Sequence, residues 1–221
     1  MPTDPMPTDP MPTDQTQTDE TPAAPRRLAL VLARHSAAPA APPGIDPAAF
    51  AAAALADTYE VVADLVEVRA GIVGPVATED LLWPGDLRWP DASLRDLARW
   101  AAADYDELVL VPADVPDLPG LVLAKLFKVL HRIDAAVAPE RGGTGAAAVG
   151  FRLPLAAWVP EVDLDDAPYG RLEQAAPRRS SCVTGPDWHR LRTPTAVHRL
   201  DPGLEGWEET RALLSGRHGG W

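Results

Sequence analysis

Two short, unbroken apolar runs constrain this chain more than any other feature. They are Leu28-Ala-Leu-Val-Leu-Ala33 and Glu107-Leu-Val-Leu-Val-Pro112. Neither alternates with polar residues, so each needs cover on both faces, as strands at the centre of a parallel sheet have. Parallel neighbours must be joined by crossovers, which are right-handed and usually helical. The intervening sequence supplies them. Pro47 to about Asp64 reads as a helix with Asp46 as N-cap and Pro47 at its first position, and Phe50, Leu55, Tyr59 and Val62 fall near one face. Leu65 to Val73 reads as a second strand, and Leu94 to about Asp104 as a second helix capped by Ser93 or Asp91. Gly120 to Arg132 reads as a third helix. Ala135 to Ala138, Ala146 to Phe151 and a stretch near Ala196 to Leu200 read as strands, with helices near Ala167 to Ala176 and Gly206 to Leu214. The expected class is α/β, with a mostly parallel central sheet, helices on both faces, and the two apolar runs adjacent and parallel.

The first segment is of another kind. Met1-Pro-Thr-Asp-Pro, Met6-Pro-Thr-Asp-Pro and Met11-Pro-Thr-Asp-Gln repeat without an aromatic or branched aliphatic residue. Such a stretch has nothing to offset the entropy of ordering, so residues 1–25 are expected to be a disordered tail and residues 26–216 a single domain. Asp and Glu outnumber Lys and Arg by 32 to 20, which argues against a nucleic-acid partner, whose phosphates need a basic face. No apolar run approaches the roughly 18 residues of a membrane span. The N-terminus has no charged-then-apolar leader pattern, so the expected compartment is the cytoplasm, with no membrane partner. Cys182 is the sole cysteine, which excludes an intramolecular disulfide and a cysteine-based zinc site.

Asp114 stands just past the second apolar run, in Ala113-Asp-Val-Pro-Asp-Leu-Pro119. In open α/β sheets the C-terminal strand edge is where ligands bind. A carboxylate there can hold a divalent cation that neutralises a diphosphate, or it can cap the turn that leaves the strand. Arg141-Gly142-Gly143-Thr144-Gly145 is either a tight strand connection or a place where backbone closely approaches a ligand. It is neither a Walker loop nor a dinucleotide fingerprint. Gly85-Asp86-Leu87 lies between Trp83 and Trp89, whose indoles can stack on a base or simply pack. Asp163, Asp165 and Asp166 read as a solvated acidic loop. The histidines are dispersed with no helical metal-ligand spacing, and no Gly-x-Ser-x-Gly elbow is present.

Together these motifs resemble the glycosyltransferase-A-like proteins known as radical-SAM/selenodomain-associated transferases, relatives of the phospholactate and molybdenum-cofactor guanylyltransferases. The resemblance runs from Leu28 to Leu214. Ala52 to Thr58 is similar to the family's first helix, Gly85-Asp-Leu87 to its Gly-Asp-Leu loop, and Leu110 to Pro116 to its strand ending in a metal-site aspartate. Asp134 to Pro139 and Gly142-Gly143 resemble the strand and glycine pair that follow. The resemblance implies a Rossmann-like glycosyltransferase-A fold. It implies transfer from a nucleotide sugar or nucleoside triphosphate to a small-molecule acceptor, with Mg2+ or Mn2+ held by Asp114 and a second carboxylate, for which Asp201 and Glu208 are the alternative candidates. Arg34, Asp86, Gly142 and Gly143 would then bind the nucleotide. Departures are plain. The family's phosphate-gripping Lys-Thr-Arg-Leu run is replaced by an Ala- and Pro-rich loop, Arg34 to Gly44. Its Asp-Val-Asp-Thr-Pro segment finds only Arg190-Leu-Arg-Thr-Pro194. The alternative these departures imply is a degenerate relative that keeps the fold as a binding or accessory protein.

Overall fold

In a computed structural model, the structure describes residues 24–75 and 81–216. Nearly all of the expected N-terminal tail lies outside the described residues. Seven strands form one sheet: β1 (Arg27–Leu32), β2 (Val68–Val73), β3 (Leu87–Trp89), β4 (Glu107–Pro112), β5 (Ala135–Pro139), β6 (Ala146–Arg152) and β7 (Cys182–Thr184). Their order is β3-β2-β1-β4-β6-β5-β7. The two apolar runs are β1 and β4, and they pair in parallel with Leu30 opposite Leu110 and Leu32 opposite Pro112. β6 runs antiparallel to both β4 and β5. The short turn after β5 leaves no room for a crossover, so β6 must fold back as a hairpin.

The helices are α1 (Pro47–Ala63), α2 (Leu94–Ala101), α3 (Gly120–Leu130), α4 (Pro168–Ala175) and α5 (Glu208–Leu214). Asp46 caps α1, its side chain accepting from the Ala49 N–H, and Ser93 caps α2. The period of two along each central strand divides the core. Leu28, Leu30, Leu32, Leu108 and Leu110 point to the face covered by α2 and α4. Ala29, Val31, Val109 and Val111 point to the face covered by α1 and α3. A third cluster lies beyond the strands, where Ala37 and Ala40 from the loop after β1 meet Phe50 and Ala54 of α1 and Leu191, Ala196, Leu200 and Trp207.

Some local expectations change. Ala196 to Leu200 is not a strand: residues Pro194–Arg199 form a 3₁₀ helix, in keeping with a proline at its first position, which cannot donate to a sheet ladder. β3 and β7, three residues each, are too short to leave a readable period. β2 begins at Val68 rather than Leu65, because Glu67 takes a positive φ of 60° that breaks the extended backbone. Among the described residues no helix is long and apolar enough to cross a membrane.

Candidate functional site

β4 delivers Asp114 to the C-terminal edge of the sheet, where it is 3% exposed. Both of its carboxylate oxygens are engaged by one residue. Arg190 donates from Nε to Oδ1 at 2.8 Å and from Nη2 to Oδ2 at 2.9 Å. The backbone holds the pair together, the Leu191 N–H donating to the Asp114 carbonyl at 2.8 Å. Arg190 is itself fully buried and uses its remaining nitrogen inward. Nη1 donates to Asp165 Oδ1 at 2.7 Å and to the carbonyls of Ala146 and Leu164 at 3.2 Å. Burial pushes the Asp114 carboxyl up to about 6, and Arg190 pulls it back toward the ionised form.

Asp165 is the hub of the network. Its Oδ1 accepts from Arg192 Nη2 at 2.7 Å as well as from Arg190, and His35 Nδ1 lies 3.3 Å away. Burial opposes the Asp165 charge, but Arg190, His35 and Arg192 together outweigh it and hold the carboxyl below its usual value. Arg192 also pairs with Glu140 at 3.1 Å. His35 is 6% exposed. Burial holds its imidazole below the usual value, and Arg190 and Arg34 reinforce this against the opposing pull of Asp165 and Asp163.

The residues around Asp114 do not fit a divalent cation. A guanidinium already lies across both carboxylate oxygens, and its fixed positive charge repels a metal. Asp201, the expected second ligand, closes a turn instead: its Oδ1 accepts from the Gly203 N–H at 2.8 Å, and its own N–H donates to Asp117 at 3.2 Å. Among the described residues, the group of three metal-capable side chains drawn together is His35, Asp163 and Asp165, which includes neither Asp114 nor Asp201.

The other expected nucleotide contacts are also engaged internally. Arg34 donates to Asp91 Oδ1 at 2.7 Å. Asp91 lines a cavity of about 460 Å³ at the C-terminal ends of β2 and β3, together with Gly74, Pro75, Arg88, Trp89 and Pro90. Asp86 accepts from the Tyr59 hydroxyl of α1 at 2.5 Å and faces Arg69 at 3.6 Å, sharing no residue with the Asp114 network. In the glycine turn, Gly142 adopts a positive φ of 77° that favours glycine. Gly143 and Gly145 serve a different end. A Cβ on Gly143 would meet the Glu140 carboxyl at 2.5 Å, and one on Gly145 would meet Arg192 Nη2 at 2.6 Å. These glycines make room for the Glu140–Arg192 pair rather than for an outside ligand.

Arg190, Arg192, His35, Asp163 and Asp165 are the site residues that the sequence reading missed. A signal for the arginines was present in the charge reversal of Arg190-Leu-Arg-Thr-Pro194 against a segment that carries aspartates in the family. Asp117 was missed as well. It is 2% exposed and accepts from Trp188 Nε1 at 3.1 Å, with His189 Nε2 3.0 Å away.

No family model matches the chain. Solved structures do resemble it. One is from Desulfovibrio desulfuricans G20, provisionally named a nucleotide-diphospho-sugar transferase. It is 18% identical with a TM-score of 0.57, over 88% of this chain and 99% of that one. The 4-diphosphocytidyl-2C-methyl-D-erythritol synthase of Anaerococcus prevotii DSM 20548 is 10% identical with a TM-score of 0.53, over 78% of this chain and 94% of that one. A CMP:2-keto-3-deoxy-manno-octonic acid synthetase solved with CTP is 12% identical with a TM-score of 0.51, over 87% of this chain and all of that one. The chain therefore has the α/β fold shared by nucleotide-diphospho-sugar transferases and related nucleotidyltransferases.

Proposed function

We propose that this chain is a nucleotide-donor transferase fold that works as a binding or accessory domain, without metal-dependent transfer at Asp114. The observation that carries this reading is the bidentate Arg190–Asp114 pair, in which a built-in cation stands where the fold would place a metal. The loop after β1 supports it. That loop has turned apolar, and Ala37 and Ala40 are buried against Leu191 and Ala196 instead of offering cations to a phosphate. Arg34 and Arg192 each have a carboxylate partner already. The cavity beside Trp89 is a place on this edge for a nucleotide-type ligand, the indole offering a stacking surface and Asp91 linking its lining to Arg34.

The same fold supports a second reading, glycosyl or nucleotidyl transfer to a small acceptor with Mg2+ or Mn2+. The observation in its favour is that Asp114 keeps its strand-end position. One calorimetric experiment separates the two. Nucleoside triphosphates and nucleotide sugars are titrated into the full chain with Mg2+ and with EDTA. On the proposed function, any binding is the same in both, and no donor is turned over. Metal-dependent binding or turnover that disappears in Asp114→Asn would overturn it.

A further inference from the structure

His35 and the loop that carries Asp163 and Asp165 meet in an arrangement the pair at Asp114 does not use. The His35 ring is 6% exposed, and its Nε2 has no hydrogen-bond partner although it is shut away from solvent. A buried polar nitrogen without a partner costs about 1–3 kcal/mol, so its position calls for an explanation. Nε2 faces Asp163 Oδ1 across 4.0 Å. Nδ1 lies 3.3 Å from Asp165 Oδ1. In the tautomer that carries its proton on Nδ1, Nε2 presents a bare lone pair toward a carboxylate. Two electron-pair donors repel unless a cation lies between them.

We infer that His35 Nε2 and Asp163 form a binding site for a divalent transition metal of the Zn2+ class, with Asp165 beside the other ring nitrogen. One ligand-capable atom from each of His35, Asp163 and Asp165 lies within 4.8 Å of the others. Zinc binds imidazole and carboxylate at about 2.0–2.2 Å, so two ligands at a tetrahedral angle stand about 3.4 Å apart. The 4.0 Å gap is slightly wider. Asp163 is half exposed on a loop and can close it. A carboxylate that accepts from Nδ1–H fixes the tautomer of a metal-bound histidine, and Asp165 Oδ1 stands 3.3 Å from that nitrogen. Asp165 is itself held in place by Arg190 and Arg192. Those arginines also balance the charges of Asp165 and Asp114, leaving Asp163 to meet the metal. An imidazole–carboxylate pair favours Zn2+ over Mg2+, which prefers oxygen ligands and keeps its waters. The remaining coordination positions would take water or a ligand oxygen. The site joins the loop after β1 to the loop before α4, two segments that the sheet does not connect.

The test uses the full chain stripped with EDTA and titrated with ZnCl2, MnCl2 and MgCl2, with no nucleotide present, so it stands apart from the test of the proposed function. Expected are one Zn2+ per chain by calorimetry, a rise in melting temperature with Zn2+, and little response to Mg2+. His35→Gln and Asp163→Asn should each weaken Zn2+ binding by about tenfold or more. His198→Gln, at an exposed histidine outside the cluster, should leave it unchanged. Asp163 is on an exposed loop, so its variant folds even if the His35 variant does not. Absence of stoichiometric Zn2+ binding would overturn the inference. So would binding that survives Asp163→Asn, or binding that falls only with His198.

Discussion

Asp114 and Asp57 are both buried carboxylates, and burial pushes both up to about 6, yet the chain satisfies them in opposite ways. At the end of β4, Asp114 meets a guanidinium that is itself buried, and the two charges cancel. In the middle of α1, Asp57 meets no cation. Its oxygens accept from the N–H groups of Glu209 and Thr210 at 3.0 and 2.8 Å, the first turn of α5. The first arrangement is an all-or-none device, because removing either charge strands the other. The second is graded, since neutral amides and a helix terminus accept a carboxylate or a carboxylic acid. The strand edge thus tolerates little, while the α1–α5 contact adjusts to pH.

The sharpest way to break this comparison is at Arg190. Arg190→Met leaves Asp114 buried without its cation, so the carboxyl must either stay charged unpaired or take up a proton, and the variant should cost about 3–5 kcal/mol in urea unfolding. Replacing both partners, as in Asp114→Leu with Arg190→Met, should recover most of that loss, because a well-packed apolar pair often matches a buried ion pair. If the double variant is as unstable as the single one, the network as a whole, with Asp165 and Ala146, outweighs the pair.

A smaller effect is expected at Asp57, and it depends on pH. Its folded value is raised from 3.8 to about 6, so the native state holds this proton more tightly than the unfolded chain does. The contribution is fully present below about pH 4 and is lost as pH rises through about 6, on the order of 2–3 kcal/mol. Asp57→Asn keeps an acceptor for α5 and removes the titration. Wild type should therefore lose stability relative to Asp57→Asn between pH 4.5 and 7.5. A difference that stays flat over that range would show that the amides of α5 fully offset burial.

The body of the fold was legible because its signals are local. The continuous apolar character of β1 and β4 required two-sided burial, and Asp46-Pro47 marked a helix start without reference to anything distant. Asp114 was placed at the strand edge for the same reason. Its partner was not, because Arg190 lies 76 residues further on and no spacing rule joins them. His35, Asp163 and Asp165 escaped notice for a related cause. An acidic loop looks solvated until the fold brings a buried imidazole against it. The Gly142-Gly143 turn was visible as a turn, but whether its open side served a ligand or Glu140 depended on a side chain whose direction the sequence does not encode.

The weakest expected effect on stability lies at Arg34 and Asp91, an ion pair made through a single guanidinium nitrogen and with little of the burial of the Asp114 pair. The side chains are 26% and 48% exposed and meet at 2.7 Å. Water screens such pairs, so Asp91→Asn should change stability by less than about 0.5 kcal/mol. Its effect on binding should be more visible. Asp91 lines the cavity beside Trp89 and competes with any anion for the Arg34 guanidinium. Removing that charge frees a donor and eliminates a repulsive carboxylate from the rim. If the cavity takes the phosphates of a nucleotide, Asp91→Asn should tighten binding, and the gain should shrink as salt is raised, because the freed interaction is electrostatic and exposed. Arg34→Gln should weaken the same binding, and the double variant should resemble Arg34→Gln alone, since Asp91 acts through Arg34. Calorimetry at two salt concentrations reads all three. If Asp91→Asn binds no more tightly than wild type while Arg34→Gln still weakens binding, Asp91 holds Arg34 in its productive pose and is not its competitor.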